Sequence, residues 1–136
     1  MKNKIIIVLA SYYPEIASKL LEGAKKELAK NGYSSTEILI HKVPGVFEIP
    51  VMISKYIEKY KAVIALGCVI KGQTPHFDYI SSSAINGIMN LSIKHKKPIG
   101  NGIITCLNKK QALDRADHKK KNKGGEAVKA VMEVLT

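Results

Sequence analysis

The sequence predicts an α/β protein in which a four-stranded parallel sheet lies between two layers of helices. Three observations predict it. Short apolar runs rich in Ile, Val and Leu alternate along the chain with stretches whose apolar residues recur every three or four positions, the pattern of successive βαβ units. Two of the runs, Ile5 to Ala10 and Ala62 to Val69, carry no charge, which suits strands covered on both faces. Nothing repeats and no linker-like segment divides the 136 residues, a length suited to one domain, residues 1–136, that buries about two-thirds of its unfolded surface.

Each element follows in order. Ile5 to Ala10 is an unbroken run of β-branched residues and Leu, and makes the first strand. With the basic Met1-Lys2-Asn3-Lys4 before it, the run superficially resembles a secretory leader. Its apolar part is only of strand length, however, and Ser11, Tyr12, Tyr13 and Pro14 lead straight into a helical pattern rather than a small-residue cleavage site. A core strand in a cytoplasmic protein is therefore expected. From Pro14, residues Ile16, Leu20, Leu21, Ala24 and Leu28 mark one helix face, and Gly32 closes that helix. Thr36 to Lys42 alternates as a second strand until Pro44-Gly45 breaks it, and Val46 to about Tyr60 reads as a helix with Pro50 in its first turns. Ala62 to Val69 is the third strand. Asp78 to His95 is helical, with Ile80, Ala84, Ile88 and Leu91 on one face, and Pro98 introduces a fourth strand, about Gly102 to Cys106. Helices at Lys109 to Ala116 and Gly125 to Leu135 flank a basic connection, His118 to Lys123. The order βαβαβαβαα with right-handed crossovers gives a flavodoxin-like three-layer sandwich. Four strands leave open edges, so self-association is expected.

Composition narrows the function. The net charge is +11, which invites a nucleic-acid reading. Of the 22 basic residues, however, 21 are Lys and one is Arg115. Arg is the fork for bidentate phosphate and base contacts, so a chain with one arginine is not built for base readout, and no nucleic-acid partner is expected. No apolar stretch approaches the roughly 20 residues that span a bilayer, so no membrane partner is expected either. Cys68 and Cys106 lie in apolar strand-like runs and read as buried, reduced thiols. No His, Cys or acid stands at a metal-ligand spacing, so no metal site is expected.

The chemistry concentrates at three loops. Tyr12-Tyr13 after strand one, Pro44 to Glu48 after strand two, and Gly67 to Phe77 after strand three all leave carboxyl ends of parallel strands, so they converge on one rim. The two tyrosines have two readings, a platform for a flat heterocycle or a plug where the strand meets the helix. Glu48, in a helix-opening Val46-Phe47-Glu48, either accepts hydrogen bonds from ligand hydroxyls or merely favours the helix dipole. Gly72-Gln73-Thr74 before a helix can form a nest for a single phosphate, and lacks the ending that cradles a triphosphate. His76, held between Pro75 and Phe77, can exchange protons near neutral pH. No serine nucleophile elbow is present, and Cys68 stands inside a strand, which argues against covalent catalysis.

Taken together, these residues resemble the 6,7-dimethyl-8-ribityllumazine synthase family. Three blocks carry the resemblance: Val43-Pro44-Gly45-Val46-Phe47-Glu48-Ile49-Pro50; Leu66 through Tyr79; and Gln111-Ala112, Arg115-Ala116 and Asn122-Lys123-Gly124. They follow in family order, within a similarity running from about Lys4 to Leu135. The resemblance implies condensation of 5-amino-6-(D-ribitylamino)uracil with 3,4-dihydroxy-2-butanone 4-phosphate, without metal or organic cofactor. It also implies roles. Tyr12 stacks on the pyrimidine; Val46, Phe47 and Glu48 hold the ribityl chain; Cys68, Val69 and Ile70 read the pyrimidine edge through their backbone. Gln73 and Thr74 form the phosphate loop, His76 transfers protons, Arg115 clamps the phosphate, and Lys123 lies near the ligand.

The chain departs from the family pattern at two places. Tyr12-Tyr13 stands where Phe-Asn is common, which keeps the stacking ring but loses an asparagine interaction. Asn101 replaces an aromatic before the Gly of the fourth strand, removing one wall of the ring sandwich at a cost of roughly 1 kcal/mol. Asn101 falls at the start of its strand, opposite the rim of His76, so any pocket it lines is shared with a neighbouring subunit. The resemblance accordingly implies sites at the interfaces of a homo-oligomeric pentamer, which further assembles in some relatives into a decamer or a sixty-subunit shell. The short segment before strand one and the run Asp117-His118-Lys119 both weigh mildly against a shell.

Overall fold

Four strands, β1 (Ile5–Ala10), β2 (Ile38–Val43), β3 (Ala62–Ile70) and β4 (Ile99–Cys106), form one all-parallel sheet in the order β2-β1-β3-β4. The structure is a computed structural model that describes residues 4–73 and 75–136. Residues 1–3 and Thr74, assigned above to the phosphate loop, lie outside the described residues. Five helices cover the sheet: α1 (Pro14–Lys30), α2 (Ile49–Tyr56), α3 (His76–His95), α4 (Lys109–Ala116) and α5 (Lys123–Leu135). This is the three-layer, flavodoxin-like sandwich expected from the alternation of patterns.

The layers follow from side-chain alternation. In β1, Ile5, Ile7 and Leu9 face the core shared with α1, α4 and α5, while Ile6, Val8 and Ala10 face the core shared with α2 and α3. β3 divides in the same way, with Ile64, Leu66 and Cys68 on the first face and Val63, Ala65 and Val69 on the second. Successive strand residues point to opposite faces, so a strand buried on both needs the uniformly apolar sequence seen in these two runs. In α1, Ile16, Leu20, Ala24 and Leu28 are fully buried along one stripe, as their spacing requires.

Element boundaries moved where local hydrogen bonding outweighs pattern. The second strand begins at Ile38 rather than Thr36, because Ser35–Glu37 form a 3₁₀ turn in which Glu37 Oε1 accepts from the Ser34 N–H at 3.0 Å. The expected helix from Val46 to Tyr60 is α2 flanked by 3₁₀ turns at Val46–Glu48 and Ile57–Lys59. β3 runs one residue further, to Ile70, and α5 begins two residues earlier than expected, at Lys123. α3 also starts two residues early, at His76, since the Pro75 carbonyl accepts from the amides of Asp78 and Tyr79. β4 starts at Ile99 rather than Gly102: the Val63 amide donates to the Pro98 carbonyl at 3.1 Å, so the ladder with β3 begins immediately after the proline.

α1 and α5 approach closely because of glycine. A Cβ on Gly124 would collide with the Leu20 carbonyl oxygen of α1. Backbone cannot retreat as a flexible side chain can. Gly124→Ala is therefore expected to destabilise the fold by about 2 kcal/mol, read as a lower urea midpoint at unchanged slope. An unaltered midpoint would mean that the two helices are not held in this register.

Candidate active site

The carboxyl ends of β1, β2 and β3 open onto one cleft of about 390 Å³, a size typical of small-molecule sites. Beyond β1 it is lined by Tyr12 and Tyr13, beyond β2 by residues 45–48, at the end of β3 by Cys68, Val69 and Ile70, and at the start of α3 by His76 and Ile80. The three loops expected to converge do so. β3 is the longer strand: its last residue opposite β1 is Leu66, paired with Leu9, and the chain continues in extended form to Ile70. Residues 68–70 thus project past β1 and form the back wall, where their backbone has no strand partner on the β1 side.

Each loop is held by identifiable contacts. The Ser11 amide donates to the Val43 carbonyl at 3.0 Å, tying the exits of β1 and β2 together just before the tyrosines. The tyrosine rings meet edge to face with centroids 4.9 Å apart. Their two readings separate here: Tyr13 packs against the core, whereas Tyr12 is 72% exposed at the cleft. Gly67 lets the Val46 turn press on the sheet, because a Cβ there would lie 2.8 Å from Val46 Cγ2. Glu48 Oε1 accepts from the Gly45 amide at 2.9 Å, which orients its carboxylate within the turn. Phe47 stands 59% exposed at the mouth. His76 is exposed in the first turn of α3, beside the cleft.

The remaining candidates lie outside this cleft. Gln73 is exposed in the loop 71–73, anchored by the Lys71 amide donating to the Cys106 carbonyl at 2.8 Å. A Cβ on Gly72 would meet no atom of the described residues within 4 Å. Arg115 lies on α4, where its Nη1 donates to the Thr105 carbonyl at 2.9 Å and approaches Cys106 Sγ at 3.8 Å. Asn101 is exposed near the start of the edge strand β4, level with Ala65, and its Oδ1 accepts from the Ile103 amide at 3.1 Å. Lys123 opens α5 and pairs with Glu126 at 3.3 Å. Two residues of the cleft were not singled out as ligand contacts from sequence, Gly45 and Ile80, and Tyr13 was read only as one of two aromatic-platform candidates. Ile80 carried a signal, since an apolar residue one turn from His76 shares its side of the helix.

Two further cavities differ in chemistry. A groove of about 860 Å³ between α1 and α4 is lined by charged side chains, among which Lys109 pairs with Glu15 and Lys120 with Asp114. Another, of about 420 Å³, lies at the opposite end of the sheet around Pro98. Neither has an imidazole in its lining.

Cys68 and Cys106 are both buried and not joined. Burial, reinforced by Cys106 nearby, pushes the Cys68 thiol up to about 12 from an ordinary 9.0. At neutral pH it holds roughly a thousandfold less thiolate than an ordinary cysteine, so it is no nucleophile despite its place in the cleft. Alkylation of Cys68 by iodoacetamide should be far slower than that of free cysteine and keep accelerating above pH 9; mass spectrometry showing a plateau by pH 9 would contradict that environment. The sign for stability follows: a raised thiol contributes below pH 9, and its contribution is lost as pH climbs toward 12.

Along nearly its whole length the chain is similar to known proteins. The model of the family described as 6,7-dimethyl-8-ribityllumazine synthase matches residues 2–136. A protein of that name from Sulfurimonas denitrificans is 43% identical over 135 residues, covering 98% of this chain and 88% of the relative. Another, from Campylobacter curvus, is 40% identical over 136 residues, covering 98% and 87%. A third, from Sulfurovum, is 41% identical over 135 residues, covering 98% and 86%. With the cleft at the carboxyl rim and similarity over essentially its whole length, this chain belongs to the 6,7-dimethyl-8-ribityllumazine synthase family.

Proposed function

We propose that this chain is a transferase of riboflavin biosynthesis, condensing 5-amino-6-(D-ribitylamino)uracil with 3,4-dihydroxy-2-butanone 4-phosphate to 6,7-dimethyl-8-ribityllumazine, phosphate and water. The observation that carries the reading is the meeting of Tyr12, the turn Val46–Glu48, the overhanging end of β3 and His76 in one cleft, in a chain of this family. The amine of the pyrimidine attacks the ketone, water leaves to form an imine, phosphate is eliminated, and ring closure expels a second water.

The residues divide that work by their chemistry. The exposed Tyr12 ring offers a flat apolar face for the pyrimidine. Residues 68–70 offer backbone donors and acceptors for its edge, since they have no strand partner on the β1 side. Phe47 and Val46 flank the ribityl chain, and Glu48, with one oxygen engaged by Gly45, retains acceptor capacity for its hydroxyls. His76 shuttles protons during imine formation and phosphate loss. Gln73 and Thr74 receive the phosphate, with Arg115 as its charged clamp and Lys123 nearby. A reducing cytoplasm suits the two unjoined thiols.

Arg115 and Asn101 lie outside the cleft lining of their own chain, and we assign both to the site of a neighbour in a cyclic pentamer. Three features support this. β4 is an open edge among the described residues. Tyr79, Met89 and Ile93 are all more than half exposed on one side of α3. Tyr12 and Phe47 leave the cleft mouth apolar and open.

Mixing the two substrates with the protein should generate lumazine absorbance and fluorescence; their absence with folded protein counts against the reaction. Arg115→Ala should raise KM for the phosphorylated substrate about 10–100-fold, the loss of about 1.5–3 kcal/mol of charged hydrogen bonding. His76→Ala should instead lower kcat, by about 10²-fold; matching defects in both variants would refute the division of roles. Co-refolding Arg115→Ala with His76→Ala should restore about a quarter of the sites if each combines residues of two subunits. No restoration in mixed oligomers would place both residues in one chain.

A further inference from the structure

Cys68 and Cys106 form a feature that the condensation does not use. In the β3–β4 register Cys68 lies opposite Ile104 and Cys106 opposite Ile70. Residues two apart on a strand share a face, so the thiols are diagonal neighbours, both within the core shared with α1, α4 and α5. Cys68 also lines the cleft, giving solvent-side access to the pair, and Arg115 Nη1 lies 3.8 Å from Cys106 Sγ.

We propose that Cys68 and Cys106 are a two-sulfur site for a soft monovalent d¹⁰ cation of the Cu(I) type, entering through the floor of the cleft. Soft thiolate donors select such ions. No cluster of three or more His, Cys, Asp or Glu able to hold a metal occurs among the described residues, so a four-coordinate zinc site is not built here. Charge supports the choice. On binding, two S–H bonds break, two S–metal bonds form and two protons leave to solvent, with no electron transferred. The product carries one net negative charge, and the adjacent guanidinium offsets it; a divalent ion would give a neutral complex beside an uncompensated arginine. Occupancy would also hold Arg115 against the thiolates.

The test needs no turnover and is independent of the proposed reaction. The intact chain is titrated with silver nitrate, a redox-inert stand-in, in chloride-free buffer containing imidazole to mask single histidines. One Ag⁺ per chain, two protons released on a pH-stat, and two sulfur neighbours by X-ray absorption are expected. Cys68→Ala and Cys106→Ala, verified as folded by circular dichroism, should each lose at least about 100-fold in affinity, the scale of losing one of two linked contacts. Arg115→Ala should weaken binding about tenfold or more, and Arg115→Lys should restore it. Two Ag⁺ per chain with one proton each, or wild-type affinity in Cys106→Ala, would overturn the site.

Discussion

The pairing of β1 with β3 is the constraint on which the rest depends. Both strands are buried on both faces, so neither can shift by one residue without exchanging one apolar core for the other, and both cores are full. With Leu9 fixed opposite Leu66, the unequal lengths of the two strands become a structural fact: β1 ends and β3 continues. The step between them is the back wall of the cleft. Gly67 stands at that step and lets the turn after β2 close against the sheet. The back wall of the candidate site thus arises from a difference in strand length rather than from a dedicated loop.

The cleft also opens onto solvent at an apolar mouth. Its back and floor are strand ends, while two exposed rings, Tyr12 and Phe47, stand at its mouth. Exposed aromatic surface at a concave site invites a ligand or a neighbour to cover it. Among the described residues β4 is an open edge, and α3 carries an exposed apolar stripe. In the pentamer proposed above an adjoining subunit would cover these surfaces, with Arg115 presented from α4 near the end of β4, where the Thr105 carbonyl holds it.

Charge is used sparingly where it matters. Most of the lysines lie on exposed surface, and several pair with neighbouring acids, as at Lys4–Glu37 and Lys123–Glu126. The single arginine is half-buried and fixed by the Thr105 carbonyl. A planar guanidinium held this way loses little freedom on meeting an anion, which a flexible lysine would not match.

The sequence by itself determined the class of the fold, the order of its elements and the rim on which the three loops meet. Uncharged runs at Ile5 to Ala10 and Ala62 to Val69 admit only doubly covered strands, and alternation with helical periodicity leaves few other arrangements. Family blocks within Val43 to Pro50 and Leu66 to Tyr79 named several of the residues that meet there, Val46 to Glu48, Cys68 to Ile70 and His76. Boundaries at Ile38, His76 and Ile99 escaped, because a few local hydrogen bonds, from Ser34, to Pro75 and to Pro98, decide them and leave no periodic trace. Only the tertiary structure separated Tyr12 from Tyr13, exposed the overhang of β3, and set Cys68 diagonal to Cys106 beside Arg115. Those relations depend on register between segments distant in the chain, and register is fixed by how two cores fill at once, which no local pattern of residues encodes.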